Sequence, residues 1–303
     1  YKFINQSLFD YKKKKLFDIV TADGVLHHTN NPKQGFKKLC NSLKPNGYLI
    51  YGTNLSSSRF LRNLQRFILI KYTIKKFNKI NHNEIERLAK KFFKNHLRRA
   101  KKFGNRSIKA IIYDDYINPK IKSYNLIETL EMFKKNSLKL YSAWPPILFS
   151  SNGQSHNLID TNKQFLKNPL LLDQLELEWS LKVKQDQEID NLLNNQINKF
   201  KVQFHSMKDV FKEFSNIDPY TFKKINHKKL SKIKNIKNYL KKKNLKNIQG
   251  NISVDLVNEI NLLYSLISLN ASEDKIEKFL DNAKLLFKGY CGVGINYFIC
   301  KKS

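Results

Sequence analysis

Apolar and polar positions along the first 53 residues follow the pattern of a strand, a helix and a second strand. The run Phe17–Ala22 is short, apolar and β-branched, which is typical of a strand buried on both faces. Pro32 occupies a first-turn position of the predicted helix, and Tyr48–Thr53 is predicted as the second strand. Because a loop, a helix and the turn Lys44–Gly47 separate the strands, we expect a βαβ unit with parallel neighbouring strands.

The rest of the chain predicts mostly helix, with two further strands. The remaining predicted elements are basic helices over 54–104, an irregular segment at 111–119, a helix Leu126–Lys135, a strand Leu138–Trp144, helical patterns over 170–214 and 254–269, and a terminal strand Gly292–Cys300. Ser272 is predicted to cap another helix, because acidic residues follow it in the first turn. Strands on both sides of a long helical stretch favour an α/β fold with helical insertions.

Composition excludes several classes of protein. Hydrophobic residues make up 41% of the chain, which argues against global disorder. No window approaches the roughly 18 uncharged apolar residues of a membrane span, and the N-terminus lacks a signal-peptide pattern. Cys40, Cys291 and Cys300 lack the spacing of metal or redox motifs, which favours the reducing cytoplasm. Nothing in the sequence indicates an oligomeric state.

The net charge of +31 comes from lysine and not from arginine. The chain holds 49 lysines and only seven arginines. Readers of nucleic acid favour arginine for bidentate contacts to bases and phosphates. We therefore attribute the charge to compositional bias, and a nucleic-acid partner is possible but not favoured.

The most informative stretch is FDIVTADGVLHHTNNPKQGFKKLCNSLKPNGYLIYGT, from Phe17 to Thr53. It resembles the class I S-adenosylmethionine-dependent methyltransferases, which show an F-D-x-V strand, a G-V-L-H-H-type loop, D-P, a helix, L-K-P-G-G and a strand in this order. Asn31 stands where Asp is common, and Asn46 replaces the first Gly of the pair. Direct resemblance covers about residues 1–53, with weaker similarity at 111–144 and 289–303.

The resemblance implies a Rossmann-like class I methyltransferase sheet of the α/β class. We expect the sheet to be partial, lacking its first strands, and to carry helical insertions. The predicted division is a partial methyltransferase domain over 1–144 plus 289–303, with 54–104 as a helical cap, and a helical accessory region over 145–288. The strand at 138–144 and the terminal strand are then the last two of the sheet.

Two parts of the family's cofactor site have no counterpart in this sequence. The family's glycine-rich loop and the acidic residue that holds the ribose hydroxyls both precede the matching region. The chain also starts without Met. We therefore expect an N-terminally truncated fragment that binds S-adenosylmethionine poorly by itself.

Ala22, Asp23 and Gly24 are the first candidates for binding S-adenosylmethionine. In an open parallel sheet, ligands bind outside the carboxyl ends of the strands, and these residues lie at such an end. Small residues let the backbone approach a ligand closely, and Asp23 offers a charge that suits a sulfonium cation. The alternative is that Asp23 and Gly24 only form a turn.

The resemblance adds Ser7, Leu8 and His27 to the cofactor-binding candidates. Ser7 matches the position where the family has an Asp that contacts the adenine amine, and Leu8 would pack near the ring. His27 and His28 are adjacent and lack a Cys, Asp or Glu cluster, so we predict no metal site. Packing near the cofactor is the favoured role for His27, and a general-base role is the alternative because histidine titrates near neutrality.

Asp115 and Tyr116 are the candidates for contacting the methyl acceptor. Their segment, with Pro119 and Glu128, is similar to a D-x-[FY]-x-x-P…Y-[ST]-x-x-E stretch beside the acceptor pocket of small-molecule methyltransferases. The pair could orient a hydroxyl or an amine. Asp and Pro also form ordinary turns, so the two interpretations stay open.

The resemblance implies a methyltransferase enzyme with S-adenosylmethionine as cofactor and a small-molecule acceptor. The methyl group would pass to an O, N or C atom by direct displacement from the sulfonium. One alternative is an RNA or protein methyltransferase that uses the Lys-rich helix between Pro219 and Val254 as its substrate platform. Another is a non-catalytic remnant of the fold.

Overall fold

The computed structural model describes residues 3–145 except positions 13 and 120, then 269–283 and 294–303, with single positions and short runs between 147 and 179 and between 259 and 287. Its strands are β1 Phe17–Asp23, β2 Leu43–Thr53, β3 Leu138–Trp144 and β4 Asn296–Lys302. Its helices are α1 Pro32–Ser42, α2 Phe60–Phe77, α3 His82–Phe92, α4 Lys94–Gly104, α5 Ile108–Ile112, α6 Leu126–Lys135 and α7 Glu273–Asn282. Short turns of other helix types cover Leu8–Asp10, Leu26–His28 and Tyr113–Ile117.

The four described strands form one sheet in the order β1-β2-β4-β3. β1 and β2 pair in parallel across the α1 crossover, whereas β4 is antiparallel to both of its neighbours. The predicted βαβ unit, the predicted pairing of the last two strands and the α/β fold class are thus confirmed. β4 ends at Lys302, two residues beyond the predicted end.

The stretch Lys44–Gly47 differs from its prediction as a simple turn. β2 already begins at Leu43, and the register with β1 shifts between Phe17 and Ile19. Asn46 takes the left-handed conformation, with φ of 63°. A Cβ at Gly47 would lie 2.9 Å from the carbonyl oxygen of Asp18, so glycine is required where the bulged strand passes β1.

One face of the sheet is packed by α1, α6 and a group of aromatic rings. Phe133 of α6 lies 5.7 Å from Phe36 of α1 and 5.4 Å from Phe298 of β4, measured between ring centroids. Tyr51 of β2 meets Phe36 edge-on at 5.0 Å. On the opposite face of β1, Ile19 is 60% exposed. The core of the sheet therefore lies on the α1 and α6 side.

The predicted helical cap forms a second core that includes later parts of the chain. Apolar residues of α2, α3 and α4 pack in one cluster with Ile260, Leu263, Ile267 and Leu280. Ser272 caps α7, as predicted, by accepting a hydrogen bond from the Lys275 amide. The domain boundaries stay a prediction, and the Lys-rich segment 219–254 lies outside the described residues. None of the helices in the described ranges has the length and apolarity needed to cross a bilayer.

Ion pairs connect α3 to α7 at the surface of the cap. Arg87 donates to Glu84 at 2.7 Å and to Glu273 at 2.6 Å. The hydrogen bond from Arg87 lowers the pKa of Glu84 to about 2. These contacts bring α7 against α3 and not against the sheet.

Alanine substitutions at two buried glycines test the packing at the strand ends. A Cβ at Gly52 would lie 2.5 Å from Asp23 Oδ1, 3.0 Å from the Tyr297 ring and 3.2 Å from the Asp23 backbone. We expect Gly52→Ala to cost about 1–3 kcal/mol in the free energy of unfolding, because ring and backbone must both shift. Urea denaturation measures this loss.

Gly35→Ala in α1 is the matched control. Its nearest obstacle is the flexible tip of Leu26 at 2.9 Å, and alanine favours helix by about 1 kcal/mol. We expect the control to stay within roughly 1 kcal/mol of the parent chain. Equal losses in the two variants would contradict the predicted crowding between β1, β2 and β4.

Candidate functional site

The carboxyl end of β1 forms a tight backbone cradle. Gly24 follows the strand with φ of +66°, and its amide donates to the Gly52 carbonyl at 3.0 Å. A Cβ at Gly24 would meet Ile295 at 3.6 Å and the His27 ring at 4.0 Å. Because L-residues rarely adopt this φ, glycine lets the chain turn here while the backbone stays accessible. Ala22, also a predicted site residue, is buried just before the turn.

Asp23 holds an exposed carboxylate at this end of the sheet. Its Oδ2 accepts a hydrogen bond from the Tyr297 hydroxyl of β4 at 3.2 Å. Burial and this hydrogen bond raise the pKa of the Tyr297 phenol. The contact fixes the position of the carboxylate and leaves it in reach of a ligand at the strand ends.

Ser7 and Leu8 lie at the start of the Leu8–Asp10 turn, against α1. Ser7 is exposed, and its hydroxyl caps the turn by accepting from the Phe9 amide at 3.2 Å. Leu8 is half-buried. A Cβ placed on Gly35 of α1 would lie 3.6 Å from the Leu8 side chain and 2.9 Å from the Leu26 side chain, so both leucines flank this glycine. The structure thus brings Leu8 to the same part of α1 as the Leu26–His28 turn.

His27 is buried beneath the cradle and belongs to a polar network. It is 3% exposed, and its Nε2 lies 3.0 Å from the side-chain amide of Asn54. With its oxygen on the His27 side, that amide accepts from Arg59 Nη1 at 3.3 Å and donates to the Gly294 carbonyl at 3.2 Å. His27 Nδ1 is buried and has no hydrogen-bond partner among the described residues.

The surroundings of His27 favour its neutral form. Burial lowers the pKa of His27 to about 3, with smaller contributions from His28 and Arg59. The two histidine rings are 4.1 Å apart between centroids. His27 is therefore uncharged at neutral pH and holds an extra proton weakly, which makes it a poor general base.

Asp115 follows α5 and lies against residues of the helical cap. Its side chain is 3.4 Å from Arg59, 3.6 Å from Arg62 and 3.7 Å from His96. Burial raises the pKa of Asp115, but the two arginines and His96 outweigh burial, so the pKa lies well below its usual range. Asp115 is only 6% exposed and forms a buried ion cluster.

Tyr116 faces the interior of the cap. It is fully buried, and its hydroxyl donates to Gln65 Oε1 at 2.9 Å. Its ring packs on Phe93 of α4 at 6.2 Å between centroids. The structure therefore places Asp115 and Tyr116 within the cap and not on an open surface.

Arg59 joins the two predicted parts of the site. One guanidinium nitrogen contacts Asp115, and the other reaches the Asn54 amide that binds His27. His27 and Asp115 are thus connected through Asn54 and Arg59. Tyr116 interacts electrostatically with Arg59. Ser7 and Leu8 contact neither Asn54 nor Arg59 in the interactions found among the described residues.

The loop that follows α5 closes over the two histidines. The Lys122 amide donates to the His27 carbonyl at 2.9 Å. The Asn118 amide lies 3.1 Å from His28 Nδ1, and Arg66 donates to the Asn118 carbonyl at 2.7 Å. These contacts hold the Leu26–His28 turn between the sheet and the cap.

Sequence analysis missed Asn54, Arg59 and the serines beside them. Ser58 donates to Asn296 Oδ1 at 2.5 Å, which ties the segment after β2 to the start of β4. Ser57 donates to the buried Glu176 at 2.9 Å. The sequence does offer one signal for Arg59. The chain has only seven arginines among its many lysines, and all seven fall between positions 59 and 106.

Among the residues that the structure describes, no three His, Cys, Asp or Glu side chains are grouped as metal ligands. His28 instead contacts Asp114 at 3.5 Å, and its ring is tilted by 47° against the His27 ring. The contacts around His27 and His28 are hydrogen bonds and an ion pair.

Neutralising either of two adjacent aspartates tests the buried cluster. Asp115→Asn removes the negative charge next to Arg59, and we expect a loss of about 3–5 kcal/mol in the free energy of unfolding. Asp114→Asn is the matched control, because the Asp114 side chain is 31% exposed and pairs with the exposed Arg106 at 3.0 Å.

We expect the control to lose less than about 1 kcal/mol. Urea denaturation of both variants gives the comparison. Similar losses at the two positions would mean that Arg59 does not depend on Asp115.

Comparison with known proteins bears on the strand, turn and helix around this site. A family model described as "Methyltransferase domain" matches residues 2–51. No curated protein matches the chain. A solved structure, PKMT2 from Rickettsia typhi, is 16% identical with a TM-score of 0.32, over 45% of this chain and 28% of that chain. The match thus spans less than a third of that protein.

The matched residues include β1, the Gly24 cradle, the His27 turn and α1. They end within β2, just before the segment that supplies Asn54 and Arg59. The cradle, the turn and the parallel β1–β2 pair are the parts of the fold that the F-D-x-V to L-K-P-G-G string predicted. Residues 2–51 of the chain therefore match the methyltransferase-domain family, in agreement with the resemblance to the class I S-adenosylmethionine-dependent methyltransferases.

Proposed function

We propose that this protein transfers a methyl group from S-adenosylmethionine to a small-molecule acceptor. The observation that carries the proposal is the cradle at the carboxyl end of β1, where the left-handed Gly24 borders the ring of His27, whose buried Nδ1 has no hydrogen-bond partner among the described residues. A buried polar atom without a partner is costly, and functional sites are where such atoms occur. Members of the matched family use this cofactor.

The residues at the strand ends suit this cofactor. Bound S-adenosylmethionine would supply a methyl group made electrophilic by the sulfonium. Asp23 offers an exposed negative charge, while Ala22 and Gly24 leave the backbone open to close approach. Ser7 and Leu8 remain our proposal for the adenine side, since they sit on α1 near the His27 turn.

This chain's own residues contribute by position more than by proton transfer. Methyl transfer depends mainly on aligning the nucleophile with the methyl group, which is a proximity effect. Because its pKa is about 3, neutral His27 can accept a hydrogen bond but is a poor base. We propose that Asp115 and Tyr116 support the wall of the acceptor site from inside the cap, Asp115 through Arg59.

The arrangement of arginines favours a small acceptor over a polyanion. Arg59, Arg66, Arg87 and Arg106 all donate to acidic side chains or carbonyl groups of this protein. Guanidinium groups engaged in this way are not displayed for phosphate contacts. An RNA or protein methyltransferase is the second candidate, because the Lys-rich segment 219–254 could bind a large substrate.

Substitution of Gly24 tests the cradle as the cofactor site. Gly24→Val places a branched side chain in the left-handed backbone, and we expect at least a tenfold weaker affinity for S-adenosylhomocysteine, because about 1.4 kcal/mol of lost contact or strain suffices. Isothermal calorimetry measures the change.

Asn78→Val is the matched control for backbone strain. Asn78 has φ of 52° and ends α2, at the opposite end of this helix from Arg59. We expect it to lower the melting temperature while leaving the affinity intact. Unchanged affinity in Gly24→Val would separate residues 22–24 from the cofactor site.

Salt dependence tests the alternative substrate class. If the charge reflects composition, binding of tRNA should collapse between about 50 and 200 mM salt, because it rests on counterion release. Replacing Lys241, Lys242 and Lys243 with Gln should weaken this binding and leave methyl transfer to a small acceptor unchanged. Gel shifts that persist above that range, or activity that the triple change abolishes, would favour the RNA enzyme.

A further inference from the structure

The position of the proton on His27 follows from the contacts of Asn54. Arginine can only donate hydrogen bonds and a backbone carbonyl can only accept them. The Asn54 amide lies between Arg59 Nη1 and the Gly294 carbonyl, so its oxygen must face Arg59 and its nitrogen must face Gly294. The same oxygen lies 3.0 Å from His27 Nε2. Nε2 must therefore carry the ring proton.

This assignment leaves the other ring nitrogen as an acceptor. In a neutral imidazole with the proton on Nε2, Nδ1 holds a bare lone pair. That atom is buried and has no hydrogen-bond partner among the described residues. The carbon between the two nitrogens lies 4.0 Å from the point where a Cβ at Gly24 would stand. The lone pair thus belongs to a ring that borders the cradle.

We infer that Asn54 and Arg59 hold His27 in the Nε2-protonated tautomer, so that Nδ1 accepts a hydrogen bond from an N–H or O–H group of the cofactor bound in the Gly24 cradle. The inference rests on the proposed function, because it takes S-adenosylmethionine as the occupant. Asn54 and Arg59 are positioning residues that act through His27. Asp115 in turn holds Arg59 in place through their ion pair.

Burial and the nearby charge of Arg59 keep this acceptor available. The His28 ring lies 4.1 Å from the His27 ring at a tilt of 47°, and Arg59 lies beyond the Asn54 amide. Asp114 faces His28 and not His27 within the recorded ion pairs of the described chain. A second proton on His27 would be buried next to these groups, so Nδ1 stays available through the neutral pH range. A permanent acceptor favours amino and hydroxyl groups and disfavours a carboxylate at the same point.

Nitrogen-15 NMR of the histidine side chains tests the tautomer without any ligand. On protein labelled at histidine, we expect Nε2 to be protonated and Nδ1 to be unprotonated from pH 5 to pH 8. Asn54→Ala should give a mixture of tautomers. Ser58→Ala is the matched control, because Ser58 bonds to Asn296 instead, and its spectrum should keep the parent tautomer. A proton on Nδ1, or a doubly protonated ring at pH 6, would overturn the inference.

Two substitutions of His27 test the acceptor itself. Asparagine keeps an oxygen near the Nδ1 position, whereas glutamine keeps a donor near the Nε2 position. We expect His27→Gln to bind S-adenosylhomocysteine about fivefold more weakly than His27→Asn, since one buried hydrogen bond is worth roughly 1 kcal/mol. In the parent protein, the Nδ1 resonance should move when S-adenosylhomocysteine is added.

The failure of this inference is distinguishable from failure of the proposed function. Absence of S-adenosylhomocysteine binding in the parent protein would contradict the proposed function. Binding that leaves the Nδ1 resonance unmoved, together with equal affinities in the two His27 variants, would overturn the inference alone.

Discussion

The buried charge of Arg59 is the constraint on which the site depends. A guanidinium keeps its proton at physiological pH, and Arg59 is only 2% exposed, so its charge needs an anionic partner inside the protein. Asp115 supplies that partner from the loop after α5, while Arg62 and His96 add positive character around the same carboxylate. Removing water from these groups is costly, which makes their positions strongly coupled.

The contacts of Arg59 connect the cap to the carboxyl ends of the strands. Arg59 stands where the segment after β2 enters α2, and one of its nitrogens reaches the Asn54 amide beside His27. Asn118 and Lys122, from the segment after α5, then contact the histidine turn. The cap therefore contributes to the site, because its buried ion pair between Arg59 and Asp115 is connected through Asn54 to His27, which borders the Gly24 cradle.

Much of the sheet could be predicted from sequence because its signals are local. The β-branched run before Asp23, the Pro32 helix start and the aromatic strand before Gly52 each determine an element within a few residues. Gly24 was a candidate from sequence because it ends the first strand, and the structure adds its left-handed conformation. The bulge at Lys44–Gly47 was wrongly predicted as a simple turn, since register depends on how β2 pairs with β1 and no local pattern encodes it.

The sequence by itself determined the βαβ unit and the residues at the end of β1, because both lie within the short motif that resembles the methyltransferases. Only the tertiary structure decided what surrounds them. From sequence, Asp115 could either contact the acceptor or belong to an ordinary turn; in the structure it lies buried beside Arg59, which is 56 positions away in the chain. Asn54 and His27 meet across 27 positions. The strength of such electrostatic interactions depends on the distance between the groups and on how far they are removed from water. Neither quantity can be predicted from the spacing of residues along the chain.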